Sequence, residues 1–166
     1  MDALHALAPV SERYATLPVA DAFDWGEVGR QLGEGEWYLV VFRSIRKEGA
    51  DEARLTDYDE RAHLEAAAAP GFVHYFRGPS AFDGTCLSFC LWDSRAQART
   101  AAGRPDHVEA VSLLNEMYES YMLEFLRVTV NERVISFAPY DAPPPPVVAT
   151  VTNFNELPMG ALPAAS

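Results

Sequence analysis

Two histidines stand where they could act as bases. His107 opens the apolar stripe of a predicted helix, and His74 alternates with Phe72 and Phe76 along a predicted strand, so that all three share a face. Histidine has a pKa near neutrality, which suits proton removal from a ligand. The structural alternatives are a helix-start residue bonded to a loop for His107 and a buried interface residue for His74. We take both as candidate catalytic residues.

Aromatic residues accompany these histidines at strand and helix spacing. Such spacing is more typical of a packed core, but the same rings could stack on an aromatic ligand inside an apolar pocket. The candidates for binding an apolar or aromatic small molecule are Trp92, Tyr75, Tyr118, Tyr121 and Tyr38.

Three arginines, Arg43, Arg77 and Arg127, interrupt otherwise apolar strands. A buried guanidinium has to be paired, and Glu124 is the nearest acid on a strand. A ligand carboxylate or phenolate is the alternative partner. We include Arg77 among the predicted substrate-binding residues on this basis.

Several chemical classes lack their sequence signals. The histidines and the two cysteines show no metal-ligand spacing, so we predict no metal site. The sequence has no glycine-rich phosphate loop after a strand and no G-x-S-x-G motif, and we predict no cofactor. Cys86 and Cys90 would lie roughly 13 Å apart on one strand, too far for a disulfide.

The composition limits the classes of partner that the protein can bind. The chain has 166 residues and a net charge of -11, which opposes binding to nucleic acid and to anionic membranes. An acid stands at the second position, where a secretory signal needs positive charge, and no apolar run approaches the roughly 18 residues of a membrane span. These features predict a cytoplasmic protein with free thiols.

The hydrophobic pattern predicts how these residues are positioned. Strands are predicted at 37–45, 72–77, 85–92 and 122–130, with helices at 56–69 and 94–121. Along the third strand, alternate residues form two sets. The first set suits a helix-covered core and consists of Leu87, Phe89 and Leu91. The second set suits a partly polar cavity or a dimer interface and consists of Cys86, Ser88, Cys90 and Trp92.

This order, βαββαβ, predicts an α+β fold with an antiparallel four-stranded sheet. Two crossover helices cover one face of such a sheet, yet the strands are apolar on both faces. The second face needs cover, most simply by another copy of the chain. We therefore expect a homodimer.

The chain ends fall outside this pattern. We assign residues 1–36 to an N-terminal arm that packs on the domain edge, 37–131 to the central domain and 132–166 to a Pro-rich C-terminal arm. A short apolar helix is expected near Trp25 and Val28, ended by Gly33. The C-terminal arm contains a polyproline rod at 143–146 and a possible strand at 147–151, and it either crosses to a partner subunit or covers a sheet edge.

The central domain also resembles a known family. A strand ends in Trp92-Asp93-Ser94, an Ala-rich helix follows, and Pro105-Asp106-His107 precedes the closing strand. Over residues 37–130 this arrangement resembles the antibiotic biosynthesis monooxygenase-like branch of the dimeric α/β-barrel superfamily. The resemblance implies a ferredoxin-like fold, sheets packed across a dimer axis, and a pocket between helices and sheet in each protomer.

The resemblance also implies activities. Members include cofactor-independent oxygenases that act on polycyclic phenols, haem-degrading enzymes and proteins without known activity. The haem-degrading group pairs an Asn, a Trp and a helix His; Trp92 and His107 match two of these, and the first strand supplies no Asn.

From these features we expect a cofactor-independent monooxygenase or cyclase that acts on aromatic or polyketide-like substrates. His107 or His74 would remove a phenolic proton, and the resulting carbanion would react with dioxygen. The alternatives are a non-catalytic dimer that binds a ligand or a protein, and a haem-binding or haem-degrading protein.

Overall fold

The computed structural model describes residues 3–141 and the backbone of residues 147–149. Short apolar runs form the strands, and alanine-rich or capped segments form the helices. The strands are β1 Gly35–Arg46, β2 Phe72–Phe76, β3 Thr85–Trp92, β4 Tyr118–Asn131, β5 Val134–Pro139 and β6 Val147–Ala149. The helices are α1 Val19–Ala22, α2 Gly26–Leu32, α3 Glu52–Ala67, α4 Arg95–Ala102, α5 Pro105–Ser112 and α6 Leu114–Met117.

The strands form one antiparallel sheet in the order β2-β3-β1-β4-β5, with β6 also paired to β4. The first four strands and their crossover helices have the ferredoxin-like arrangement, which confirms the predicted α+β fold. Two further strands extend the edge of the sheet at β4. The backbone of β6 lies along residues 121–123, whereas the proposed polyproline rod at 143–146 lies outside the described residues.

A tight turn without glycine hides β5 from sequence analysis. Glu132 and Arg133 both adopt positive φ, 50° and 66°, a conformation that two-residue hairpin turns require and that Asn-Gly usually supplies. The carboxylate of Glu34 accepts hydrogen bonds from both turn amides, at 3.2 Å and 3.3 Å. These bonds offset the strain of the turn, so β4 continues directly into β5.

The chain covers both faces of its own sheet. Residues 3–32, here called the N-terminal segment, pack across one face, here called the N-terminal face. Phe23, Trp25 and Val28 are buried there against strand residues, and the indole Nε1 of Trp25 donates to the carbonyl of Val19 at 2.9 Å. The strand side of this core contains Leu39, Val41, Leu87, Phe89, Leu91 and Val128.

This cover changes the argument for a dimer. The sequence predicts a second copy because the two crossover helices leave one sheet face without cover. The N-terminal segment covers that face, instead of packing on the domain edge as predicted. Another protomer cannot pack there without displacing the buried rings of Phe23 and Trp25. The homodimer stays a prediction, and its interface would have to lie on another surface.

An ionic clamp fastens the N-terminal segment to the sheet. Arg43 of β1 pairs with Glu124 of β4, the partner that the sequence predicted. The same guanidinium donates to the carbonyls of Ala15 and Leu17, at 2.6 Å and 2.7 Å. One largely buried cation thus joins two strands to the segment that covers them.

The opposite face, here called the helix face, is covered by α3, α4 and α5. α3 begins four residues before the predicted Thr56, because the Asp51 side chain caps it by accepting from the amide of Arg54 at 3.0 Å. The helical region predicted at 94–121 divides between α4 and α5, where the sequence places a helix end at Gly103 and a new start at Pro105. A further short helix, α6, follows. β4 begins at Tyr118, which pairs with Arg46 of β1 next to a bulge at Glu119 of β4.

A register shift in β2 separates residues that were expected to share a face. It lies between Phe72 and His74. Phe72 packs on Trp92 of the helix face, with ring centroids 5.4 Å apart, whereas His74 lies on the N-terminal face, 6.1 Å from the ring of Phe89.

Among the described residues, no helix is long and apolar enough to cross a membrane.

We predict that Arg43→Met weakens the fold by about 3 kcal/mol, because it leaves the Glu124 carboxylate and two backbone carbonyls without their charged donor. Urea denaturation followed by tryptophan fluorescence measures the change. Arg30→Met is the matched control, since it removes the exposed Arg30–Glu27 pair and should leave the unfolding midpoint unchanged. Equal midpoints for the wild type and Arg43→Met would contradict the clamp.

Candidate functional site

A cavity of about 360 Å³ lies between the helix face of the sheet and the helices. It forms because the helix residues that face the sheet are short, so they leave space above the large strand side chains. The helix side is lined largely by alanines, namely Ala62, Ala66, Ala98, Ala101, Ala102 and Ala110. The strand side is lined largely by rings, including those of Tyr38, Phe42, Tyr75, Trp92, Tyr121 and Phe125. The volume is within the range of small-molecule sites.

The structure brings most of the predicted site residues together. One catalytic candidate and all five substrate-binding candidates line this cavity, namely His107, Trp92, Tyr75, Tyr118, Tyr121 and Arg77. His74 does not, because it lies on the opposite face of the sheet, where its ring is 5.1 Å from that of His5. The partly polar set of β3 faces the cavity, as one of the two sequence interpretations expected. The expectation that helices cover the apolar set is wrong, because Leu87, Phe89 and Leu91 are buried against the N-terminal segment.

His107 reaches the cavity from the first turn of α5. Pro105 starts this helix at a position where the missing N–H costs nothing, and the amide of His107 donates to the Glu65 carboxylate of α3 at 3.1 Å. Burial lowers the pKa of the His107 imidazole, and the Glu65 charge opposes this in part. The imidazole is therefore neutral at pH 7 and has a nitrogen that can accept a proton.

A second polar group joins β2 to α3. The Tyr75 hydroxyl donates to Asp59 Oδ1 at 2.7 Å, and Arg77 Nε lies 3.2 Å from Asp59 Oδ2. Burial and the Asp59 charge raise the pKa of Tyr75 well above its ordinary value. The carboxylate has a donor on each oxygen, so it holds Tyr75 and Arg77 in place.

Two further tyrosines and both cysteines of the cavity are neutral at pH 7. Burial raises the pKa of Tyr118 and Tyr121, and it also raises the pKa of both cysteine thiols. Cys86 and Cys90 are free but protonated, so they are poor nucleophiles. Within the described part of the chain, no group of three or more His, Cys, Asp or Glu residues is placed to hold a metal ion.

Sequence analysis missed several charged or titratable residues of the cavity, among them Arg46, Asp59, His63, Arg95 and Arg99. The signal for Arg46 was present, because it shares the period-two alternation of β1 with Tyr38 and Phe42. Which face held a cavity could not be read from that alternation.

The sequence matches a described family. Residues 1–139 match the sequence profile of the PB2B2.08-like family. The chain belongs to this family. The UPF0643 protein PB2B2.08 of Schizosaccharomyces pombe is 31% identical over 139 residues, which cover 74% of this chain and 63% of the relative. The chain thus spans less than two thirds of that relative's length, and the family match includes both the N-terminal segment and β5.

Solved structures resemble the sheet and its crossover helices. Protein SO0527 from Shewanella oneidensis superposes with a TM-score of 0.50 and 13% identity, over 58% of this chain and 94% of the other. SnoaB, a cofactor-independent oxygenase from Streptomyces nogalater, superposes with a TM-score of 0.45 and 17% identity, over 60% of this chain and 96% of the other. At these identities the likeness concerns the fold alone.

We predict that the pKa of His107 lies below 6.5 and that Glu65→Gln lowers it further. The substitution removes the charge that favours the imidazolium but keeps an oxygen that can accept from the His107 amide. NMR titration of the imidazole nitrogens measures both values. Glu60→Gln, on the same helix, is the control and should leave the His107 pKa unchanged. A His107 pKa at or above 6.5 would contradict the proposed burial.

Proposed function

We propose that this protein is a cofactor-independent monooxygenase or cyclase for an aromatic or polyketide-like small molecule, with His107 as the base. The observation that carries this proposal is the half-buried imidazole of His107, whose pKa is lowered by burial, on the wall of a cavity lined by rings. Aromatic walls accept a flat apolar ligand, and a neutral histidine can take its proton.

The cavity suits such a ligand by shape and by polarity. Trp92 and Tyr38 are buried at one end of it, where they pack against alanines of α3 and α4. Tyr75 is fixed by Asp59, so its ring has a defined position on the β2 wall. A ligand held between these rings displaces water, which strengthens any charge interaction within the cavity.

In the proposed step the protein supplies a base and a cavity that holds the substrate. His107 takes a proton from a phenol or an activated CH₂ group, which gives a resonance-stabilised carbanion. Dioxygen is the oxidant: a C–O bond forms at that carbon, the O–O bond breaks, and one oxygen leaves as water. The CH₂ carbon becomes a carbonyl carbon, and the imidazolium returns its proton to the departing water.

Ligand binding without turnover is the second candidate function. Its support is that several charged residues of the cavity are already paired within the chain. Arg77 pairs with Asp59, and Arg95 Nη1 lies 2.8 Å from Asp141 Oδ2. A pocket with fixed polar groups and one neutral histidine can select a ligand without transforming it.

We predict that His107→Gln lowers turnover of 1,8-dihydroxyanthrone at least about 100-fold, since a positioned general base contributes 10²–10⁴ in rate. Dioxygen uptake and quinone absorbance measure the reaction. In the wild type the rate should rise with pH through the lowered His107 pKa and level off above that pKa, because only the neutral imidazole accepts a proton.

His74→Gln is the comparison variant, because His74 lies on the opposite face of the sheet from the cavity. It should retain wild-type turnover. A folded His107→Gln variant with unchanged turnover would disprove the catalytic role. Binding of 1,8-dihydroxyanthrone with no turnover by the wild type would favour the ligand-binding function.

A further inference from the structure

One buried donor of the cavity has no acceptor among the residues that the structure describes: the Nε of Arg46. An unpaired buried N–H on a guanidinium costs free energy, so such groups are normally satisfied by the chain, by water or by a ligand. The Arg46 side chain is 17% exposed and lines the cavity. The unsatisfied donor is therefore part of the site, not of the outer surface.

The alternation of β1 explains how Arg46 comes to lie there. Arg46 continues the set of Tyr38, Phe42 and Ser44, which line the same cavity, and it pairs with Tyr118 next to a bulge at Glu119 of β4. The amide of Arg46 is anchored to the carbonyl of Gly84 at 3.0 Å. The side chain is thus held on the helix face, and its outer nitrogen, Nη1, pairs with the exposed carboxylate of Glu52.

Because Glu52 pairs through Nη1, the Nε–H on the other edge of the guanidinium, which Nε shares with Nη2, is left for another acceptor. This edge presents two parallel N–H donors, the geometry that a carboxylate matches with its two oxygens. A neutral carbonyl uses one of these donors and leaves the other unpaired.

The charges around the cavity also bear on which ligand it can bind. The described lining residues include four arginines, Arg46, Arg77, Arg95 and Arg99, and one carboxylate, Asp59. The protein as a whole has a net charge of -11. Three of these arginines already pair with carboxylates, Arg77 with Asp59, Arg95 with Asp141 and Arg46 with Glu52, so the Nε of Arg46 is the donor that remains for an anionic ligand.

We propose that the ligand of this cavity is an aromatic carboxylic acid whose carboxylate binds the Nε edge of Arg46, while its rings lie against the aromatic strand wall. This rests on the proposed function, since it names the ligand class of the same cavity. The carboxylate fixes the orientation of the ligand, and the apolar body supplies most of the buried area.

The test compares two probes that share one ring system and differ in charge, 2-naphthoate and 2-naphthamide. Isothermal titration calorimetry on the full chain at pH 7 should show tighter binding of 2-naphthoate by about tenfold or more. Arg46→Gln should abolish this preference, so that the two probes bind with about equal affinity. Arg54→Gln removes an arginine that pairs with Glu116 outside the cavity, and it should keep the preference.

A second variant leaves the buried part of the chain intact. Glu52→Gln removes only the exposed counter-ion of Arg46, so it should tighten 2-naphthoate binding by about threefold and leave 2-naphthamide unchanged. If Arg46→Gln does not fold, this variant decides the question, because an unchanged 2-naphthoate affinity would count against Arg46.

The outcomes separate this inference from the proposed function. Equal affinity of the wild type for both probes, or an undiminished preference in folded Arg46→Gln, would overturn the assignment of Arg46 alone. No binding of either probe would overturn the small-molecule function as well. His107→Gln should keep the preference for 2-naphthoate, because His107 acts on the reacting proton and not on the carboxylate.

Discussion

The sheet is apolar on both faces, and every other feature of this structure depends on covering them. The two covers differ in kind. Large rings of the N-terminal segment cover the first face, where Phe23 and Trp25 pack against strand residues and form a packed core. Alanines of α3, α4 and α5 cover the second face, and because they are short they leave a cavity. One burial requirement therefore produces a core on one side and a binding site on the other.

Burial also sets the charge state of the cavity. It keeps the imidazole of His107 neutral and keeps the tyrosine hydroxyls and cysteine thiols protonated. The arginines remain charged, since a guanidinium does not lose its proton in a protein. The cavity is therefore a low-dielectric space in which one base and several fixed cations persist at pH 7, and this combination suits an acidic aromatic ligand.

The N-terminal segment performs the role that the sequence had assigned to a second copy of the chain. Arg43 explains why it stays in place, since its guanidinium binds the carbonyls of Ala15 and Leu17 as well as Glu124. The PB2B2.08-like family match extends over residues 1–139, so it includes this cover together with the sheet. Sheet and cover are best regarded as one folding unit.

Local patterns determined the strands, the crossover order and the two alternating sets of β3, because alternation and cap residues act over a few positions. Tertiary structure decided what covers each face. A period of two sorts residues into two sets, but it cannot say which set meets helices and which meets the N-terminal segment. It also cannot register the bulge in β2 that separates His74 from Phe72 and places His74 outside the cavity, since this bulge arises from pairing with β3.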